Sequence, residues 1–194
     1  MNEPLAAELV ALREIDLTTR AELASDGSLF DGYHPRMEAV HRVNAARLRE
    51  IIAEHGWPST PLVGARGAEA AFLIAQHAIG EPLFMHRCRE LLAAAVAAGA
   101  APAWQLAYLE DRINTFEDRP QRYGTQLRPA ADGRLEPCAL AEPENVEQLR
   151  RDIGLPPLAD ILAKAQPDPS RPGDPAAKAA AELEWRRKVG WLIR

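Results

Sequence analysis

The sequence predicts a mainly α-helical protein: a compact multi-helix domain with one small β-hairpin, followed by a C-terminal helix on a Pro-rich linker. Three observations carry this. Alanine is the commonest of the 194 residues, aromatics make up 6% and β-branched residues are sparse, a balance that favours helices over strands. Apolar side chains recur at helical spacing between proline starts and glycine stops. Asp132-Gly133 between two extended-looking runs is a hairpin signal.

The first helix runs from Pro4 to about Ala24, with Leu5, Leu9, Leu12, Ile15 and Leu23 near helical spacing. Pro4 suits its first turn. After the turn-rich Ser25–Tyr33, Pro35 opens a second helix with Met37, Val40, Asn44, Leu48, Ile51 and Ile52 along one side. His55 and Gly56 end it, a cation in the last turn followed by a glycine stop. A loop over Trp57–Pro61 leads to a third helix, Ala65–Ile79, stopped by Gly80. The fourth runs from Pro82 to Gly99 and the fifth from Pro102 to about Phe116; their short separators make neighbours antiparallel. Gln121–Arg128 and Arg134–Leu140 flank Ala131-Asp132-Gly133, and helical pieces resume over Asn145–Ile153 and Pro157–Ala165. The domain is thus 1–166, including the hairpin 121–140. A linker spans 167–175, and a last helix, 176–194, carries Leu183, Trp185, Val189, Trp191 and Ile193.

A net charge of −5 argues against a nucleic-acid partner, because phosphate contacts need a basic surface. No apolar run reaches the roughly 18–20 residues of a membrane span. The opening MNEPLAAELVALRE is acidic where a secretory signal is basic, so a cytoplasmic protein is expected. Cys88 and Cys138 are too few for a disulfide framework and sit in no metal-type spacing.

Chemistry concentrates in three places. On the third helix, Gln76 and His77 interrupt a stretch that is apolar nearly all round. Burying an amide and an imidazole without partners costs about 1–3 kcal/mol each, so partners are expected. On the fifth helix, Asp111 is expected to orient or charge-stabilise His77, and Arg112 to take a carboxylate or phosphate in a bidentate fork. Gln121-Arg122-Tyr123-Gly124-Thr125-Gln126 is compact and rich in donors, with Gly124 free to adopt an unusual backbone. Each has a plain structural counterpart: a satisfied core histidine, an Asp–Arg pair closing a helix end, an ordinary turn. His41 and Asn44, three apart on the second helix, either face the same cavity as His77 or stand in solvent; the first would complete the set. His34 and His86 read as surface residues. A metal needs three or more converging ligands; no H-x-x-x-H or H-E-x-x-H spacing exists, so none is expected, and His77, Asp111 and His41 are the ligands to test. There is no G-x-S-x-G elbow, P-loop or dinucleotide fingerprint, and no cofactor is expected.

QHA (Gln76–Ala78), DR (Asp111-Arg112) and QRYGTQ (Gln121–Gln126), in this order and spacing, resemble a family of bacterial proteins of unknown function. The resemblance extends upstream through Asp16, Arg20, Asn44, Leu48, His55–Pro58 and Val63-Gly64, and downstream to about Leu162. It implies a helical family domain and brings no reaction. Two positions depart from the family pattern: His41 and Ile79 stand where relatives tend to carry acidic residues.

The leading expectation is a small-molecule enzyme, hydrolase- or transferase-like. His77 and Asp111 form its acid–base pair. Gln76, Arg112, Gln121, Tyr123, Thr125, Gln126, Asn44 and His41 hold a small polar or anionic substrate. A non-catalytic metabolite-binding or protein-interaction module is the alternative, and a purely structural polar network the third. The last helix must bury Trp185, Trp191 and Ile193 on its own domain or in a homodimer.

Overall fold

A computed structural model describes residues 1–30, 32–130, 134–164 and 175–192. Among these residues the chain forms eight α-helices and one two-stranded antiparallel sheet. The turn predicted at Asp132-Gly133, most of the linker predicted over 167–175 and Ile193 lie outside them.

Helix α1 (Glu3–Ser25) begins where Asn2 Oδ1 accepts the Leu5 amide at 3.2 Å, satisfying one of the free N-terminal donors. It buries Leu5, Leu9, Asp16 and Leu23, whereas Ile15, expected inside, is 53% exposed. The stripe that meets the core steps from 9 to 16 to 23, two turns at a time, and puts a carboxylate where a leucine fits the pattern. Helix α2 (Pro35–His55) starts and stops as predicted, burying Met37, His41, Asn44, Leu48 and Ile51. Asn44 Nδ2 donates to the Leu12 carbonyl at 3.0 Å and ties α2 to α1.

Helix α3 (Thr60–His77) is kinked at Gly64, whose φ of +70° strains any side chain. Its regular part begins just after the kink, at the predicted Ala65, and ends two residues early at His77. This helix is the hub, packing on α1 and α2 and on α4 (Pro82–Ala97) and α5 (Ala103–Phe116). Small residues allow it. A Cβ on Gly67 would stand 3.3 Å from the Ala6 backbone and 2.8 Å from Val63 Cβ, so α1 can lie directly against α3. Helices α4 and α5 pack together as the predicted helical hairpin.

Strands β1 (Leu127–Pro129) and β2 (Leu135–Pro137) pair Leu127 with Pro137 and Pro129 with Leu135. The ladder is shorter than predicted because Gln121–Gln126 folds as a turn around Asp111. Short helices α6 (Val146–Asp152) and α7 (Leu158–Lys164) follow. Helix α8 (Pro175–Val189) and the turn after it return to the body. Trp191 is buried, stacks on Phe116 at 5.0 Å and donates its indole N–H to the Ile79 carbonyl at 2.7 Å. Arg186 donates to the carbonyls of Thr115 and Phe116, closing the C-terminal end of α5. Among the described residues no helix is long and apolar enough to cross a membrane.

Candidate functional site

The α1–α3 contact carries Asp16 to the end of α3, and α2 crosses both with His41. The Asp16 carboxylate is fully buried. Its Oδ2 accepts from His77 Nδ1 at 2.8 Å and lies 3.3 Å from His41 Nε2, off the line of a hydrogen bond. Tyr33, on the segment before α2, joins its hydroxyl to His41 Nδ1 at 2.8 Å. The two imidazoles lie 5.1 Å apart, centroid to centroid. Three elements therefore converge on one carboxylate.

The electrostatics follow from burial and charge together. Burial alone would raise the Asp16 carboxyl; the His77 hydrogen bond and the imidazoles of His77 and His41 close beside it outweigh this and hold it well below the usual carboxylate range. Burial lowers His77, and Asp16 offsets this only in part. Burial holds the Tyr33 hydroxyl protonated, with the charges of Glu38 and Asp16 adding to the effect. Tyr33 is then a donor, and His41 Nδ1 its acceptor. With Nδ1 of His77 engaged by Asp16, Nε2 is the ring atom left for chemistry.

Arg112 approaches from α5. Its Nη1 donates to the Gln76 carbonyl at 3.0 Å, while its buried Nε has no partner. Burial, then the charge of the exposed Arg20 on α1, pushes its guanidinium down to about 10. Among the described residues neither arginine meets a carboxylate. Both amide atoms of the buried Gln76 side chain are likewise unpartnered.

Asp111 is elsewhere engaged. It is fully buried, and its carboxylate accepts the amides of Arg122 (2.7 Å), Tyr123 (3.1 Å) and Thr125 (3.0 Å) and the Thr125 hydroxyl (3.0 Å). Gln121 closes the same turn, donating to the Gln126 and Cys138 carbonyls and accepting the Gln126 amide. Gln126 Nε2 donates to Thr125 Oγ1, and Arg150 to the Tyr123 carbonyl at 2.6 Å. Gly124 sits at φ +66°, where a Cβ would meet Leu158 Cδ2 at 3.0 Å.

The residues expected to form one site thus divide at α5. His77, His41, Gln76 and Arg112 gather near Asp16, while Asp111, Gln121, Tyr123, Thr125 and Gln126 bond mainly to one another. Asn44 braces α1. The carboxylate on His77 is Asp16 and not Asp111, because successive residues of a helix point about 100° apart and Arg112, not Asp111, faces α3. Asp16 was readable from its position on the apolar stripe; Tyr33, in an irregular segment, left no periodic signal.

The model of a family of unknown function, DUF6624, matches residues 3–166. The chain belongs to this family. No curated protein and no solved structure matches it. Asp16, His41, His77 and Arg112 all lie inside the DUF6624 match, and α8 lies outside it.

Proposed function

We infer that this DUF6624 protein is an enzyme for a small polar or anionic molecule, worked from the Asp16–His41–His77 centre. The observation that carries the reading is the 2.8 Å contact between His77 Nδ1 and a carboxylate with no solvent exposure. A buried charge is retained at a cost in stability unless it serves something. Asp16 fixes the His77 ring and its Nδ1–H tautomer, so that Nε2 carries the lone pair that takes a proton from substrate or water and later returns it. Arg112 and Arg20, two cations that meet no carboxylate among the described residues, hold the anionic part of the substrate.

The test is turnover of a panel of small phosphate and carboxylate esters and amides by the full chain. His77→Gln and Asp16→Asn are expected to lower kcat/KM by about 10²- to 10⁴-fold, the span of general acid–base catalysis. Unchanged rates in both variants remove the assignment. The two arginines, which meet no carboxylate among the described residues, equally favour a second reading, a metabolite-binding module. In that case a ligand co-purifies, Arg112→Ala releases it, and no panel member turns over.

A further inference from the structure

We propose that Asp16, His41 and His77 together bind one divalent first-row transition-metal ion. The inference rests on the reading of these three residues as the working centre, but not on the proton transfer assigned there to His77.

Two atoms direct attention to it. Asp16 Oδ1 and His41 Nε2 have no hydrogen-bond partner, although their residues are only 0% and 9% exposed. Buried polar atoms in native proteins are nearly always satisfied, so two orphans on neighbouring helices of one cluster call for a third party. The spacing fits a cation. Ligands about 2.1 Å from a common ion stand roughly 3.0 Å apart at a right angle and roughly 3.4 Å apart at the tetrahedral angle. His77 Nδ1 and His41 Nε2 lie 2.8 and 3.3 Å from Asp16 Oδ2, and one ligand atom from each residue falls within 4.8 Å of the others. His41 Nε2, 3.3 Å from Asp16 Oδ2 yet not hydrogen-bonded to it, is placed to share an ion with that oxygen once the imidazole turns its lone pair there.

The surroundings fit as well. Metal-bound histidines pass their other ring nitrogen to an outer partner that sets the tautomer. Tyr33 occupies that place on His41 at 2.8 Å. With the ion seated, the His41 proton shifts from Nε2 to Nδ1, where it is donated to the Tyr33 oxygen, and the His77 proton shifts from Nδ1 to Nε2, so both imidazoles stay neutral and present a lone pair to the ion. Two imidazoles and one carboxylate select iron-to-zinc ions over calcium and magnesium, which take mostly oxygen donors. Three protein ligands leave coordination positions for water or an anion, the composition of catalytic rather than structural sites.

The experiment uses the full chain stripped with chelator, titrated with Co²⁺ read by its visible d–d bands and with Zn²⁺ by calorimetry. One ion per chain is expected, with Kd at or below about 1 μM. Asp16→Asn and His41→Gln are each expected to weaken binding at least 100-fold. Tyr33→Phe, which keeps all three ligands, is expected to weaken it about 10- to 100-fold, as outer partners do. Circular dichroism confirms that each variant folds. No binding by the wild type below millimolar ion, or binding unaltered in Asp16→Asn and His41→Gln, overturns the proposal. Turnover separates it from the reading above. Activity that chelation abolishes and Zn²⁺ or Co²⁺ restores supports the ion; activity that survives chelation with no ion bound overturns the ion and leaves the proton-transferring pair standing.

Discussion

Asp16 occupies a place on α1 where helix geometry calls for a leucine, between Leu9 and Leu23 on the buried face. The carboxylate is paired with His77 and held well below the usual carboxylate range, so its charge supports the fold at neutral pH. Asp16→Asn keeps the shape and removes the charge, so it should lower the melting temperature as well as depress turnover; thermal melts followed by circular dichroism check the first. A melting temperature unchanged or raised would show that the charge does not support the fold. The cysteines allow an independent check of burial. Cys88 is buried, and desolvation pushes its thiol up to about 12, whereas Cys138 is only partly buried. An aromatic disulfide reagent should therefore modify Cys138 in the native protein and reach Cys88 only after denaturant is added.

At the scale of elements, α5 acts as a divider: Asp111 faces the 121–126 turn and Arg112 faces α3. Asp111 gathers three amides and a hydroxyl onto one buried carboxylate, and removing it strands those donors. Asp111→Ala should cost about 3–5 kcal/mol in urea denaturation, given 1–3 kcal/mol for a stranded buried donor. A loss below about 1 kcal/mol would show that the turn does not depend on it. Gly124→Ala strains the same turn from the other side, through its φ of +66° and the Leu158 contact, and should cost about 1–2 kcal/mol. The predicted run of strand from Gln121 yields to this cap, since a charged acceptor outcompetes neutral ladder bonds for the same amides.

Over the whole molecule, α8 and the turn after it cover what the rest of the chain leaves open. Trp185 meets Tyr33 edge-on at 5.2 Å and Phe116 at 5.9 Å, and Trp191 fills the space beside Phe116. The apolar face is buried on its own chain, and Tyr33 links it to His41. Trp191→Ala should destabilise by about 3–5 kcal/mol and lower the melting temperature by roughly 2–4 °C per kcal/mol, read by calorimetry. The homodimer expected from this helix is tested by sedimentation of the full chain against one ending at residue 166. A dimer lost on truncation assigns it to the helix; an unchanged oligomer excludes that contact.

Periodicity, proline starts and glycine stops were enough to place α1 to α8 within a few residues, because those signals are local and act through backbone geometry. Composition and charge set only an expectation about the class of partner, since they carry no knowledge of what touches what. Which carboxylate reaches His77 is a different kind of fact. Asp16 and His77 are 61 residues apart, and the place of Asp16 on an apolar stripe marks it as buried without saying which side chain it meets. That choice is made by the close packing of α1 on α3 across Gly67 and by the turn around α5 that sends Asp111 to its own loop. The centre is a property of how the helices cross, so only the folded chain decides it.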